Sequence, residues 1–309
     1  MNYDVVGLGQ CCIDYLGSVD QYPDIDEKEE VNNLTVQGGG PVATAMVTLS
    51  RLGASTAFIG KISDDSFGDL IKDGLISEHV NIDYIVIEKG KRSQFAFIVI
   101  EKETGKRTVL WSSATVTPLV AEEINRDVID SAKVLLLDGL MKDISIVAAE
   151  YARDAGVKVV VDAGSMREGA LALVHLSDYF IASDDFARQF FHADDPKAAA
   201  MELLALGAKT VIVTLGEKGS ICLTPERYFY QPAFKVKAVD TTGCGDVFHG
   251  AFIFGLLQKW DLNETIRFAS ATAALKCREI GGRTAIPVLK EVEELLENDN
   301  SFFSDKINV

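Results

Sequence analysis

Val134-Leu135-Leu136-Leu137, Val157-Lys158-Val159-Val160-Val161 and Thr210-Val211-Ile212-Val213-Thr214 are essentially apolar runs, and the sequence between them is helical in character over Asp143–Ala155, Met166–Leu173 and Pro196–Leu206. A strand wetted on one side alternates apolar with polar residues. These runs do not alternate, so both of their faces must be covered. Apolar strands separated by helices predict a parallel sheet between helical layers. Working outward, Tyr3–Leu8 reads as a strand, Val42–Leu52 as a packed helix and Ala57-Phe58-Ile59-Gly60 as a strand. Ser66–His79 reads as a helix with apolar positions Phe67, Leu70, Ile71 and Leu75. Val247–Gln258, Asn263–Cys277 and Val288–Glu297 read as three further helices.

The rhythm changes in two places. Ile13–Leu16 is extended and runs into the acidic, poorly periodic stretch Asp20–Glu30. Phe95–Ile100 and Arg107–Trp111 are β-rich and flank Glu101-Lys102-Glu103-Thr104-Gly105-Lys106, which predicts a hairpin turning near Gly105. The expected fold class is therefore α/β, a doubly wound, mostly parallel sheet flanked by helices, with a small inserted β-sheet drawn from segments near 11–37 and 84–113. One domain over 1–298 and a C-terminal tail over 299–309 are expected. A small sheet beside such a core can serve as a lid.

The chain of 309 residues carries 30 Lys+Arg against 46 Asp+Glu, a formal charge of −16. That surplus repels nucleic-acid phosphates and anionic lipid, so neither nucleic acid nor membrane is an expected partner. The N-terminal sequence lacks a basic, then apolar, leader pattern, and the longest apolar runs fall far short of a bilayer span. Five cysteines with no Cys-x-x-Cys pair argue against zinc or a disulfide framework and for a reducing, cytoplasmic location. His79, His175 and His192 share no metal-ligand spacing.

Chemistry concentrates in Asp240-Thr241-Thr242-Gly243-Cys244-Gly245-Asp246-Val247-Phe248-His249-Gly250-Ala251, which follows β-type sequence at Phe234–Val239 and opens an apolar helix. Glycines at the start of a helix permit tight backbone geometry, and the first turn leaves N–H groups without intrahelical acceptors. Those donors and the positive end of the helix dipole favour an anion. Asp246, in the first turn, is favoured as a carboxylate by the same field and could act as a base beside that anion. Read alone, a Gly-x-Gly-Asp helix start fits a plain turn with an acidic helix start better than it fits a site.

The whole run resembles the C-terminal signature of the PfkB, or ribokinase-like, family of sugar kinases. Other stretches match the family in order. Gly38-Gly39-Gly40-Pro41 with Arg51-Leu52-Gly53 resembles its N-terminal signature, and Gly60-Lys61-Ile62-Ser63-Asp64-Asp65-Ser66-Phe67-Gly68 its Asp-Asp-x-Phe-Gly stretch. Val213-Thr214-Leu215-Gly216-Glu217-Lys218-Gly219 resembles its nucleotide-side loop, and Gly281-Gly282-Arg283-Thr284-Ala285-Ile286-Pro287 stands where the family closes its ATP site.

The resemblance implies an ATP- and Mg2+-dependent sugar kinase. Asp246 would accept the sugar hydroxyl proton, and the N–H groups of Gly243, Cys244 and Gly245 would form the anion hole. Asp14, Gly39, Gly40 and Thr44 would meet the sugar, with Thr44 standing near where the family usually carries an Asn. Thr214, Gly216, Gly219 and Gly245 would meet ATP. Ser183 would do so too, in Ser183-Asp184-Asp185-Phe186, which replaces the family's Asn-x-x-Glu. Asp240 and Thr242 match positions near a monovalent-cation site, where K+ binds in some members. Structural roles are open for several of these: a helix lead-in for Gly39 and Gly40, a strand end for Thr214.

Within the family, Gln231–Val236, His249, Arg267–Ser270, Ala273–Cys277 and Gly40–Ala45 look most like the sulfofructose-kinase or fructokinase-type branch. A sulfonate would need a cationic subsite, for which Lys28, Lys106, Arg107 and Lys142 are candidates, solvated surface charge being the plainer role of each. Trp111 could line the sugar pocket or pack in the core, and His249 reads as a packed residue near the site. Same-fold kinases of ribose, 2-keto-3-deoxygluconate or nucleosides remain alternatives, as does a sugar- or nucleotide-binding pseudokinase. A dinucleotide-binding reading of Gly7-Leu8-Gly9-Gln10-Cys11-Cys12 lacks its third glycine and its helix. Exposed lid strands would favour a homodimer through the β-lid.

Overall fold

In the computed structural model, residues 2–103, 105–191 and 194–298 are described. Thr104 in the hairpin turn, His192 and the expected tail at 299–309 lie outside the described residues. The chain opens with β1 (Val5–Leu8), β2 (Cys12–Val19), β3 (Asn32–Gly39), α1 (Pro41–Arg51), β4 (Thr56–Ser63), α2 (Ser66–Ser77), β5 (Ile85–Glu88), β6 (Phe95–Glu101) and β7 (Arg107–Ser112). It then alternates through α3 (Arg126–Asp130), β8 (Val134–Leu137), α4 (Lys142–Asp154), β9 (Lys158–Ala163), α5 (Glu168–Ala172), β10 (Tyr179–Ser183), α6 (Asp184–Phe191), α7 (Pro196–Ala205) and β11 (Thr210–Thr214). The hairpin β12 (Ser220–Leu223) and β13 (Tyr228–Gln231) precedes α8 (Cys244–Gln258), α9 (Leu262–Lys276) and α10 (Leu289–Asn298).

Nine strands form one sheet in the order β13-β12-β11-β10-β9-β8-β1-β4-β5. From β11 to β5 every neighbouring pair is parallel, and β12 and β13 are antiparallel additions at one edge. The apolar runs explain the layering, because successive residues face opposite sides. Val134 and Leu136 join a core with Val42, Met46, Phe252 and Phe268. Leu135 and Leu137 join a second core with Ile144, Ala148 and Leu203. From β1 the chain winds outward in both directions, to β4 on one side and β8 on the other. Such a switch point opens a crevice at the carboxyl ends of the strands, where ligands bind in doubly wound sheets.

The small sheet has the order β3-β2-β6-β7, with β2 parallel to β6 and the two outer pairs antiparallel. One register row carries Gln37, Asp14, Ala96 and Trp111, so these residues share a face. Trp111 is exposed, so of its two expected roles core packing is excluded.

Two local expectations differ from the structure. The second excursion was read from residue 84, but β5 pairs in parallel with β4, Gly60 opposite Ile85, and belongs to the large sheet. Phe234–Val239 forms no strand; its end is held instead by the N–H groups of Val239 and Asp240 donating to the Cys277 carbonyl at 2.7 and 3.2 Å. As the sequence reading expected, the chain after Gly7-Leu8-Gly9 enters β2 rather than a helix, which removes the dinucleotide-binding geometry.

Candidate active site

On the lid side, Asp14 lies in β2 and is buried. Its Oδ1 accepts from the Cys12 thiol at 3.2 Å, and burial raises its pKa, opposed by the Cys12 hydrogen bond and the nearby Arg283 charge. Gly39 ends β3 directly against this carboxylate. A Cβ there would stand 2.0 Å from Asp14 Oδ2, so only glycine permits the approach. Gly40 follows as the N-cap of α1, with Pro41 in the first helical turn. The buried Thr44 hydroxyl accepts from Arg283 Nε at 3.2 Å, and Arg283 Nη2 donates to the Gly39 carbonyl at 3.1 Å. A buried guanidinium thus stands where the sequence suggested only Thr44. The Gly281–Pro287 stretch reaches the glycine segment of the sugar side as well as the loop at Asp240.

On the other side of the crevice α8 begins. Gly243 is its N-cap with φ 75°, and a Cβ there would meet the Gly282 carbonyl oxygen at 2.8 Å. Helix geometry leaves the N–H groups of Gly243, Gly245 and Asp246 without acceptors inside the helix, whereas the Cys244 N–H donates to the Thr241 carbonyl at 3.3 Å. The Cys244 thiol meets the Cys277 thiol at 2.9 Å. Arg107, on β7, reaches across from the lid and donates to Thr241 Oγ1 at 2.7 Å.

Asp246 is the point where these elements meet electrically. Its carboxyl is pushed up to about 7, first by desolvation, then by the charges of Asp162 and Asp14, with His249 and Arg107 pulling the other way. The helix field alone would have lowered it, so burial and two neighbouring carboxylates prevail. Asp162, in β9, is likewise raised to about 7 by burial, against the Gly164 N–H that donates to its Oδ1 at 2.9 Å. Asp138, just after β8, is raised to about 6 while accepting from the Gln10 and Leu140 N–H groups at 2.7 and 3.0 Å. Ligand atoms of Asp162, Asp246 and His249 lie within 4.8 Å of one another. Three acids and a histidine around one crevice can hold a proton close to neutrality, which suits general base chemistry.

Along the same sheet edge, Ser183 and Thr214 are register partners at the ends of β10 and β11. Thr214 leads into a single helical turn at Gly216–Lys218 closed by Gly219, whose carbonyl accepts from the Leu215 N–H at 2.7 Å. The Ser183 hydroxyl accepts from the Phe186 N–H at 2.9 Å and donates to the Gly164 carbonyl at 3.0 Å, a capping arrangement for α6. A cavity of about 590 Å³ opens at the ends of β1 and β8, lined by Gly9, Gln10, Lys61, Gln94, Leu140 and Lys142 among others. It adjoins the backbone groups that hold Asp138 but does not reach Asp14 or Asp246.

A model of the pfkB family of carbohydrate kinases matches residues 2–289. The chain belongs to this family. The ribokinase of Haemophilus influenzae is 30% identical over 299 residues, spanning 94% of this chain and 97% of its own. A fructokinase of Solanum tuberosum is 29% identical over 313 residues, spanning 95% of each. Among solved structures, Arabidopsis thaliana ribokinase complexed with ribose and ATP has a TM-score of 0.85 at 23% identity, covering 97% of this chain and 100% of that one. Like the family, this protein is a carbohydrate kinase, a phosphotransferase with an alcohol acceptor.

Two metals are implied for such a kinase, and neither finds its expected holder. For Mg2+, the stretch Ser183–Phe186 does not fit. Phe186 is fully buried, Asp184 pairs with Arg188 at 3.2 Å, Asp185 pairs with the same Arg188, and the Ser183 hydroxyl is engaged by backbone. For a monovalent cation, Asp240 and Thr242 do not fit either. Asp240 Oδ1 accepts from the Thr242 N–H and hydroxyl at 2.8 and 2.7 Å, and Oδ2 from the Gly281 N–H at 2.8 Å. A lysine ammonium, that of Lys276, donates to the Asp240 carbonyl at 3.0 Å.

Asp138, Asp162, Arg283 and Lys276 escaped the sequence reading. Asp138 and Asp162 had a signal: acids at the carboxyl ends of predicted parallel strands stand where a doubly wound sheet binds ligands. Of the candidate sulfonate holders, whose plainer role is surface charge, Arg107 donates to Thr241 and Lys142 pairs with Glu168; Lys28 and Lys106 lie on the exposed surface.

Proposed function

We propose that this pfkB-family kinase transfers the γ-phosphoryl group of ATP, taken as its magnesium complex, to a hydroxyl of a ketose of the fructose or sulfofructose kind. The observation that carries the reading is Asp246 in the first turn of α8, flanked by glycines and electrically coupled to Asp14 on the lid. One carboxylate for the reacting hydroxyl and another for sugar recognition thus face a single crevice. The solved relative bound to ribose and ATP supports the pairing of sugar and nucleotide.

In this reading Asp14 orients sugar hydroxyls and Asp246 accepts the proton of the reacting one. The hydroxyl oxygen bonds to the γ-phosphorus as the bond to the β-phosphate oxygen breaks and ADP leaves. N–H groups at the start of α8 and its dipole hold the charge on the transferring group. Thr214, Gly216 and Gly219 hold the nucleotide, with Ser183 alongside. Closure of the small sheet excludes water. The domain runs over 1–298, works in the cytoplasm and pairs with a second copy along the lid.

The test is ADP release with Mg-ATP across fructose, sulfofructose, fructose 6-phosphate, ribose, 2-keto-3-deoxygluconate and nucleosides, with Asp246→Asn in parallel. Turnover of a ketose, lost in the variant, supports the reading. Preference for ribose, 2-keto-3-deoxygluconate or a nucleoside moves the substrate class. ATP binding without turnover of any acceptor points to a pseudokinase.

A further inference from the structure

The side chain of Lys276, the last residue of α9, is wholly buried. Taking an ammonium out of water costs several kcal/mol, so a lysine in such a place must be met by acceptors. Here its Nζ donates to the Asp240 carbonyl at 3.0 Å and lies 4.0 Å from Asp240 Oδ2. The carboxyl end of α9, with its partial negative charge, lies beside the same ammonium. Nothing in the proton and phosphoryl transfers described above uses this charge.

We propose that Lys276 is this kinase's own tethered monovalent cation, positioning the anion-binding turn at 240–246 so that turnover needs no added potassium. The geometry behind this is a hub on Asp240. Its carboxylate receives Thr242 and Gly281 N–H groups, its backbone N–H donates to the Cys277 carbonyl, and its own carbonyl receives the ammonium. Together these bonds tie the turn that leads to Gly243, the N-cap of α8, to the end of α9 and to the Gly281–Gly282 segment that packs on Gly243.

A free potassium ion would need carbonyl and carboxylate oxygens turned toward it. Those of Asp240 already have N–H, O–H and ammonium partners. Two unit charges about 4 Å apart repel by about 4 kcal/mol at an effective dielectric of 20, so the ammonium also opposes a second cation in the same cage. Covalent attachment gives the turn its cation permanently, where a diffusible ion would give it in proportion to concentration. Lys276 touches no reacting group and is a positioning residue.

Two arms test this. In the first, the wild-type protein is melted, and assayed with whichever acceptor it turns over, in potassium, ammonium, sodium and tetramethylammonium chlorides at equal ionic strength. Melting temperature and rate are expected to be the same in all four. Stabilisation or activation specific to potassium overturns the proposal, and the melting arm needs no substrate and no variant. A failure to find any acceptor would count against the ketose reading alone and leave this arm intact.

In the second arm, Lys276→Ala and Lys276→Met are assayed in the same salts. The alanine variant is expected to lose about 10²-fold in kcat, the scale of a misplaced reacting group, with little change in the KM for sugar. Saturable recovery in ammonium or potassium but not in tetramethylammonium is expected. The methionine variant, which fills the space without the charge, is expected to lose as much and recover little. Wild-type kcat in the methionine variant overturns the proposal, as does a folded alanine variant that ignores every cation.

Discussion

His249 Nδ1 lies 3.1 Å from Asp162 Oδ2, with both side chains 4% exposed. The other ring nitrogen, Nε2, faces the Ile181 carbonyl at 3.4 Å, and a carbonyl only accepts, so Nε2 carries hydrogen. A neutral imidazole would then turn the Nδ1 lone pair toward a carboxylate oxygen that has no other hydrogen-bond partner. Two acceptors do not rest so close without a proton between them. Burial lifts Asp162 to about 7 and lowers His249, which makes the carboxyl the better holder of that proton. The pair therefore stores a proton beside Asp246, and the three groups titrate as a set rather than singly.

The consequence for pH is directional. Asp246 must be ionised to accept a proton, and its pKa stands at about 7, so kcat/KM is expected to rise with pH through neutrality. Asp162 raises the Asp246 pKa and His249 lowers it. Asp162 exerts this effect only as it gives up the proton it holds beside His249, at about 7, so Asp162→Asn should move the rising limb toward acid. A pH–rate profile of this variant that moves toward base would contradict this electrostatic order.

Asp246→Asn separates chemistry from folding. Loss of a general base typically costs about 10²–10⁴-fold in rate, and kcat should fall by that scale while ATP and sugar still bind by calorimetry. Stability should move the other way. In the fold Asp246 holds its proton up to about 7, whereas the unfolded chain releases it near 3.8. The stability this group lends is whole below 3.8 and is lost as pH rises toward 7. An asparagine loses nothing over that window, so the variant's melting temperature should pull ahead of wild type between those pH values. A variant that melts lower at pH 8 would show Asp246 to be structural.

Gly39 tests the sugar side. A Cβ there would fall 2.0 Å from Asp14 Oδ2, and the carboxylate must yield because the strand cannot. Gly39→Ala is expected to raise the sugar KM by about tenfold or more, with the KM for ATP unchanged, a displaced charge-assisted contact being worth about 1.5–3 kcal/mol. Steady-state kinetics with each substrate varied in turn reads this directly. Equal effects on both substrates would place Gly39 in general packing.

Much of this was legible in the sequence where one physical demand dominates. Val134–Leu137 had to be a strand covered on both faces, and the structure sends alternate residues into two cores. Asp246 was legible through the whole run Asp240–Ala251 and its resemblance to a family signature, since glycines before an apolar helix fit a plain turn as well. The sheet that Ile85–Glu88 joins was not, since the short apolar run Ile85-Val86-Ile87 at a half-buried edge fits either sheet. Asp162 hid inside an apolar run, its partner His249 lying 87 residues away (249 − 162). Arg283 was quoted as part of a nucleotide-side stretch, and only the folded chain brings it under Gly39 and Thr44.

The lid edge offers a prediction on assembly. β7 is the last strand of the small sheet, and Val109, Leu110 and Trp111 are 45, 57 and 58% exposed along it. An open apolar edge is a template for another strand, and a second copy is the occupant proposed above. Leu110→Lys should shift the protein toward monomer in analytical ultracentrifugation and leave its melting temperature little changed at low protein concentration. A wild type that is monomeric at all concentrations would remove the lid dimer.

Arg283 gives the sharpest structural variant. Its guanidinium is buried, donates to Thr44 Oγ1 and to the Gly39 carbonyl, and lies close enough to Asp14 for their charges to interact. Truncation to alanine would leave two buried acceptors and a buried carboxylate without their cation. Charge-assisted hydrogen bonds are worth about 1.5–3 kcal/mol each, so Arg283→Ala should lower stability by roughly 3 kcal/mol or more in urea unfolding. Arg283→Lys keeps the charge but not the fork that meets both partners. It should recover part of the stability while the sugar KM stays raised, because Gly39 and Thr44 lose their common clamp. Arg283→Lys with wild-type sugar KM would show that charge beside Asp14, rather than the positioning of the glycine segment, is what the sugar site requires.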